Sequence, residues 1–265
     1  MSYYKGLSLD GQRALVFGGT SGLGRAIALG LAEAGADVVP VSRRIEEVQK
    51  AAAAIRALGK KTLEVAADVT LREDVQRVID VMKGEMGRID ILVNSAGAIK
   101  RAPSLEFEDK EWDRIMNVNV RGTWHTCQMV GCVMKDQNYG RIINIASLSS
   151  FVSVHEVTAY VASKGAVLQI TRNLAAEWAK YGINVNGIAP GVFETPLNRE
   201  VLKDPSRRMS ILTRTPMRRY GELTEIAGAA IFLASPSASF VTGEVIVVDG
   251  GFLAQGIGEM PLTQQ

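Results

Sequence analysis

Cysteine and histidine are scarce, with two of each among 265 residues. Cys127 and Cys132 fall five apart in one expected helix and point to different faces, which excludes a mutual disulfide. They read as two small, buried, apolar side chains, and without a His/Cys cluster no metal site is expected. An excess of one charge is missing too. Thirty Lys and Arg stand against 28 Asp and Glu, a net charge of +2. That excludes nucleic acid or an anionic membrane as the main partner. No run approaches the roughly 18 uninterrupted apolar residues of a membrane span. The opening MSYYKGLSLDG lacks the apolar centre of a secretory signal. Internal repeats and low-complexity linkers are absent as well. A soluble, cytoplasmic protein with a small-molecule partner is expected.

The composition present is that of an ordinary globular chain, 47% apolar and 22% charged. The length suffices for one domain burying about three-quarters of its unfolded surface. Short β-branched runs recur at Arg13–Phe17, Asp37–Ser42, Thr62–Ala66, Ile89–Asn94, Arg141–Ala146, Ile183–Ile188 and Glu244–Val248. They lack in/out alternation, as strands covered on both faces do. Helical patterns lie between them, at Gly22–Ala34, Ile45–Leu58, Leu71–Lys83, Asp109–Met134, Ala159–Lys180 and Thr224–Ala234. Such alternation predicts an α/β fold: a doubly wound parallel sheet of about seven strands, helices on both faces, in one domain spanning 1–265. Pro40 interrupts the second strand and implies a bulge or an unpaired donor there. Residues 191–222, rich in Pro and Arg, read as a long irregular segment, the expected substrate lid, and 254–265 as a tail.

Between the first strand and first helix stand Gly18, Gly22 and Gly24, spaced G-x-x-x-G-x-G. Glycines there let the strand turn sharply, admit a pyrophosphate to the backbone and pack helix on strand. The following helix start offers free amides and a positive dipole end. This is a Rossmann-type dinucleotide signal. Some twenty residues on, where an NAD enzyme places an acid on the ribose, the sequence reads Ser42-Arg43-Arg44. A hydroxyl and a guanidinium suit a 2′-phosphate, which an acid would repel, so NADP is the expected cofactor, with NAD possible. Arg44 either assists or stands exposed at the next helix.

Tyr160 and Lys164 lie four apart, on one helical face. A nearby ammonium favours the phenolate, the tuning that proton transfer near pH 7 needs. Ser147 precedes them by thirteen residues, at the end of the fifth strand, where open α/β sheets bind ligands.

Together, G-x-x-x-G-x-G, "NSAG" at 94–97, "YVASK" at 160–164 and "PG" at 190–191 resemble the short-chain dehydrogenase/reductase family over about Gln12 to Leu253. Phe17 departs from the family's usual Thr, and Ser95 from its second Asn. The resemblance implies an oxidoreductase interconverting ketone and secondary alcohol. In it Tyr160 exchanges the proton, Ser147 hydrogen-bonds the same oxygen, and Lys164 lowers the tyrosine pKa and holds the nicotinamide ribose. Asn119 orders a water beside the lysine. The implied cofactor contacts are Gly18, Thr20, Ser21, Gly22, Leu23 and Gly24 at the turn, and Ser42 and Arg43 at the ribose phosphate. Asp68 and Val69 meet the adenine; Asn94, Ala96 and Gly97 line the ribose side; Tyr160, Lys164, Pro190, Gly191 and Thr195 complete the nicotinamide end. Asp68 is also open to a helix N-capping role. A homotetramer is implied.

Within the family, "AIKRAPS", "GVFETPLN" and "RTPMRRYGELTEIAGAAIFLAS" resemble gluconate 5-dehydrogenases and related sugar-acid reductases, and in part 3-oxoacyl-carrier-protein reductases. Between Val192 and Tyr220, seven Lys or Arg face three acids, a surplus of four. With Lys100 and Arg101 at the pocket rim this favours an anionic substrate, with Arg101 and His155 the candidate contacts. His155 is open to either a substrate hydroxyl or simple exposure.

Overall fold

The structure, a computed structural model, describes residues 4, 6–199 and 201–256. Six parallel strands form one sheet: β1 (Arg13–Phe17), β2 (Asp37–Val41), β3 (Ile91–Asn94), β4 (Gly140–Ile145), β5 (Ile183–Pro190) and β6 (Val245–Val248), in the order β2-β1-β3-β4-β5-β6. Helices α1 (Gly22–Glu33), α2 (Ile45–Ala57), α3 (Arg72–Met86), α4 (Asp109–Met116), α5 (Gly122–Gln137), α6 (Thr158–Trp178), α7 (Pro205–Arg214) and α8 (Ala227–Ala234) connect them.

Successive residues of β1 point to opposite faces, and both are apolar. Ala14 and Val16 join a core with Ile27 and Leu31 of α1 and Leu233 of α8. Leu15 and Phe17 join another with Val75 and Ile79 of α3 and Val130 of α5. Two covered faces explain why the strands read as unbroken apolar runs.

The expected seventh strand, Thr62–Ala66, does not form. The segment runs along β2, but only Val38 N–H to Lys61 O (3.1 Å) and Ala67 N–H to Ser42 O (3.0 Å) join the two main chains. Residues 38, 40 and 42 face the same side of the strand, and between the two bonded positions stands Pro40, which has no N–H to donate. The ladder is cut at its middle rung.

Three further expectations are corrected. The single helix expected over Asp109–Met134 is two, α4 and α5, joined by one π turn at Asn117–Arg121. The irregular 191–222 segment contains α7, with Pro205 in its first turn and the Asp204 side chain capping it. Cys127 is buried as expected but Cys132 is exposed. Residues 257–265 of the expected tail lie outside the described residues. Among the described residues no helix is long and apolar enough to cross a membrane, and no group of three His, Cys, Asp or Glu is placed to hold a metal ion.

Candidate active site

The chain leaves β1 toward β2 on one side and later returns to β3 on the other, so a crevice opens at the carboxyl ends of β1 and β3. Gly18 turns there with φ +77°, and a Cβ would lie 2.6 Å from the Ser95 carbonyl carbon and the Ala96 amide nitrogen. At Gly24 a Cβ would run into the Gly18 carbonyl oxygen. Helix α1 therefore begins hard against the turn. Its N-cap, Ser21, makes no side-chain capping bond, and no acid lies in its first turn. The orphan amides and positive dipole end are left for a ligand. Thr20 is buried, Leu23 is half-buried, and Thr195 lies over the turn, its side chain 3.4 Å from where a Cβ of Gly22 (φ +51°) would be. The residues present fit a dinucleotide pyrophosphate: the cradle is one that side chains would fill.

At the end of β2, Ser42 is half-buried and Arg43 exposed, its guanidinium 3.9 Å from Asp68. Asp68 accepts from both the Thr70 amide (2.9 Å) and hydroxyl (2.8 Å). This caps the turn before α3, not the helix, whose N-cap is Leu71. Val69 packs over Gly122, where a Cβ would lie 2.6 Å from its methyl, and its carbonyl meets His125 Nδ1 at 3.3 Å. Burial holds the His125 imidazole below its ordinary range. The Asn94 side chain points into the core, donating to Asn144 Oδ1 (2.9 Å) and accepting from Thr126 (2.7 Å). Only its backbone is left to a ribose, beside Ala96 and the exposed Gly97.

Ser147 follows β4 in extended conformation and accepts from the Ser149 amide at 3.1 Å. It lies within hydrogen-bonding reach of Tyr160, which opens α6 with Lys164 one turn on. Burial holds the Tyr160 phenol above its usual value; the Ser147 hydrogen bond acts the other way and is the smaller effect. Burial also brings the Lys164 ammonium down to about 8. Its Nζ donates to the Ile145 carbonyl at 2.6 Å and stands 5.6 Å from the Tyr160 ring centre. The expected lowering of the tyrosine by the lysine does not emerge: burial shifts both groups toward their neutral forms, and the lysine remains charged at pH 7.

Asn119 is buried in the π turn, a common place for such bulges. Its Oδ1 accepts from Ala98 N–H (2.7 Å), and its amide donates to Ala98 O (3.0 Å) and Ser163 Oγ (2.8 Å). Ser163 in turn donates to the Tyr160 carbonyl at 2.7 Å. Asn119 thus ties the loop after β3 to the first turn of α6. Nothing in the sequence marks Ser163 for this role beyond its place inside "YVASK".

Pro190 ends β5. Gly191 is required by Asp249, whose Cα would lie 2.6 Å from a Cβ there. The Thr195 hydroxyl donates to Asn198 at 3.1 Å. Arg101 is not the free rim cation expected: it is paired with Glu156 (2.5 Å) and Asp204 (3.2 Å). His155 is 87% exposed along its side chain, with its ring 3.8 Å from Glu156. Several of the lid's cations are engaged within the chain. Arg219 binds Glu225 through two nitrogens at 2.7 Å, Arg207 donates to the His155 carbonyl, and Arg208 and Arg214 stack on Tyr220 and Phe252.

The family model described as Enoyl-(Acyl carrier protein) reductase matches residues 18–253. The chain is 42% identical to the 2-dehydro-3-deoxy-D-gluconate 5-dehydrogenase of Escherichia coli K12 over 249 residues, 94% of this chain and 98% of that one. It is 39% identical to the gluconate 5-dehydrogenase of Gluconobacter oxydans over 251 residues, 95% and 98%. The crystal structure of a gluconate 5-dehydrogenase from Burkholderia cenocepacia J2315, in complex with NADP and tartrate, superposes with a TM-score of 0.92 at 41% identity, covering 95% of this chain and 99% of that one.

Proposed function

The chain belongs to the short-chain dehydrogenase/reductase family, and from that premise we propose that it is an NADP-dependent oxidoreductase interconverting the ketone and secondary alcohol of a small sugar acid, as its gluconate-dehydrogenase relatives are named for doing. One observation carries the reading: a protonated, half-buried Tyr160 within reach of Ser147 and one turn from Lys164, at the carboxyl end of the sheet beside the glycine cradle.

In this reading the turn from Gly18 to Gly24 holds the pyrophosphate, and Ser42 with Arg43 holds the 2′-phosphate. Asp68 and Val69 flank the adenine, while the backbone at Asn94, Ala96 and Gly97 lies along the ribose. Pro190, Gly191 and Thr195 close the nicotinamide end. The nicotinamide supplies the hydride in reduction and accepts it in oxidation. Tyr160, which is protonated at neutral pH, gives its proton to the carbonyl oxygen. Ser147 hydrogen-bonds the same oxygen and fixes where it sits. Lys164 places a cation beside the tyrosine and the ribose; Asn119 and Ser163 hold that helical turn in place. The 191–222 segment closes over the substrate.

The reading includes a homotetramer in the cytoplasm, supported by the fully exposed Phe240 and by β6, an edge strand with Val247 40% exposed. A monomer by light scattering at micromolar concentration would remove that part. The chemistry is tested by a turnover screen of keto sugar acids against acetoacetyl thioesters, each with NADPH and NADH. Preferred reduction of a keto-gluconate with NADPH is expected. Turnover of the thioester alone would assign the chain to 3-oxoacyl reduction instead.

A further inference from the structure

Three segments meet at Arg101: the loop after β3, the loop before α6 and the start of α7. Arg101 Nε donates to Glu156 Oε2 at 2.5 Å, and Nη1 to Asp204 Oδ2 at 3.2 Å. The two carboxylates hold it very differently. Glu156 grips twice, since its carbonyl also accepts from Ala102 N–H at 2.9 Å, and it does so from a left-handed backbone, φ +63°. Asp204 makes the longer bond and is divided: its Oδ1 caps α7, accepting from Ser206 N–H (3.0 Å) and Arg207 N–H (3.3 Å). The neighbouring groups are Arg207, which donates to the His155 carbonyl at 3.2 Å, and the His155 ring, 3.8 Å from Glu156. Arg101 and Arg207 thus stand here against Glu156 and Asp204.

A guanidinium is a rigid fork with several donors on two edges. Glu156 fixes one of them and thereby the plane of the group. The other is occupied by a half-buried carboxylate at longer range, which the α7 cap shares, so this is the weaker of the two pairs. We propose that Asp204 is a specificity-determining stand-in: it occupies on Arg101 the place that the carboxylate of the substrate takes, so that binding exchanges one anion for another. This rests on the sugar-acid reading above. The exchange leaves Arg101 paired throughout, so an incoming carboxylate need not desolvate a bare cation, and a ligand without a carboxylate has nothing to exchange. Because Asp204 opens α7, the exchange also unties that end of the lid from the catalytic loops.

The test is tartrate titrated calorimetrically into the NADPH-loaded enzyme, a pairing with no ketone to reduce. Asp204→Asn removes the charge yet keeps a capping side chain, since Asn caps helices as well as Asp. It should bind tartrate ~2–5-fold more tightly than wild type, the range a solvent-accessible ion pair supports. Asp204→Ser, which also caps, should move in the same direction. In an Arg101→Gln background the same Asp204 change should have no effect. Unchanged or weaker binding in both Asp204 variants, no binding in any form, or the same gain with Arg101 replaced would each overturn the proposal. A wild type that binds tartrate by this pattern but reduces no keto sugar acid would instead defeat the functional reading and leave the exchange standing.

Discussion

The nucleotide half and the substrate rim of this molecule are held by different physics. Around Gly18 and Gly24 the shape is set by the main chain: positive φ, backbone approaches that leave no room for a Cβ, and a strand-to-helix turn with its amides unspent. Around Arg101 the shape is set by half-buried side-chain charges on segments 55 and 103 residues apart. The first kind of site is costly to alter and indifferent to salt. The second is adjustable by single charges and screened by ions within about 10 Å at 0.1 M. In the proposed reading a dinucleotide common to many reactions takes the rigid half, and the substrate, which varies, meets the adjustable one.

Breaking the rigid half should cost most. Gly18→Ala places a Cβ against the backbone of Ser95 and Ala96 at φ +77°, and should destabilise the fold by at least ~3 kcal/mol by urea denaturation. A loss below ~1 kcal/mol would mean that the turn is plastic. Next comes the chemistry between the halves. Tyr160→Phe removes the transferable proton and should lower turnover at least ~100-fold, with NADPH affinity unchanged by fluorescence titration. A variant keeping a third of the activity would show that another group is the acid.

Lys164→Met should separate stability from activity. The ammonium is depressed from 10.5 to about 8, so burying its charge costs about 3 kcal/mol below pH 8. Between pH 8 and 10.5 the unfolded chain binds more protons than the folded one, and wild-type stability gains as pH rises. Allowing ~1 kcal/mol for the Ile145 carbonyl left without its donor, the variant should be about 2 kcal/mol more stable at pH 7 and inactive. That advantage should vanish by about pH 10.5; an advantage independent of pH would rule out the buried charge as its cause. The smallest effect belongs to the exposed Arg43. Arg43→Ala should weaken NADPH by ~10–100-fold and leave NADH nearly unchanged, and Ser42→Asp should extend the swing by repulsion. Equal losses with both cofactors would contradict a 2′-phosphate role.

The same contrast decides what was legible in the sequence. The βαβ alternation, the glycine turn and the Tyr160/Lys164 spacing are local patterns, and each lies in the structure where its period puts it. Helix α7 was legible as well, since Asp204-Pro205 is a capping residue followed by a proline suited to a first turn; the surrounding Pro and Arg obscured it. The absent strand at 62–66 depended on which side of β2 Pro40 faces, which only the sheet reveals. The partners of Arg101 were not legible at all, because charge counts along the chain carry no information about pairing across it. The direction of the Tyr160 pKa was not legible for a related reason: the lysine one turn on is a local fact, while the burial that raises the phenol is a property of the whole fold.

Pro40 has a consequence beyond the missing strand. A sheet presents unpaired amides and carbonyls along both outer strands, and two open edges would let copies add one after another into a fibre. Here the β2 edge lacks a donor at its middle and is overlaid by residues 61–67, whereas β6 at the opposite end carries no such block among the described residues. Any growth of this sheet across molecules must therefore use β6 on both sides of the joint, and ends as soon as two copies have met.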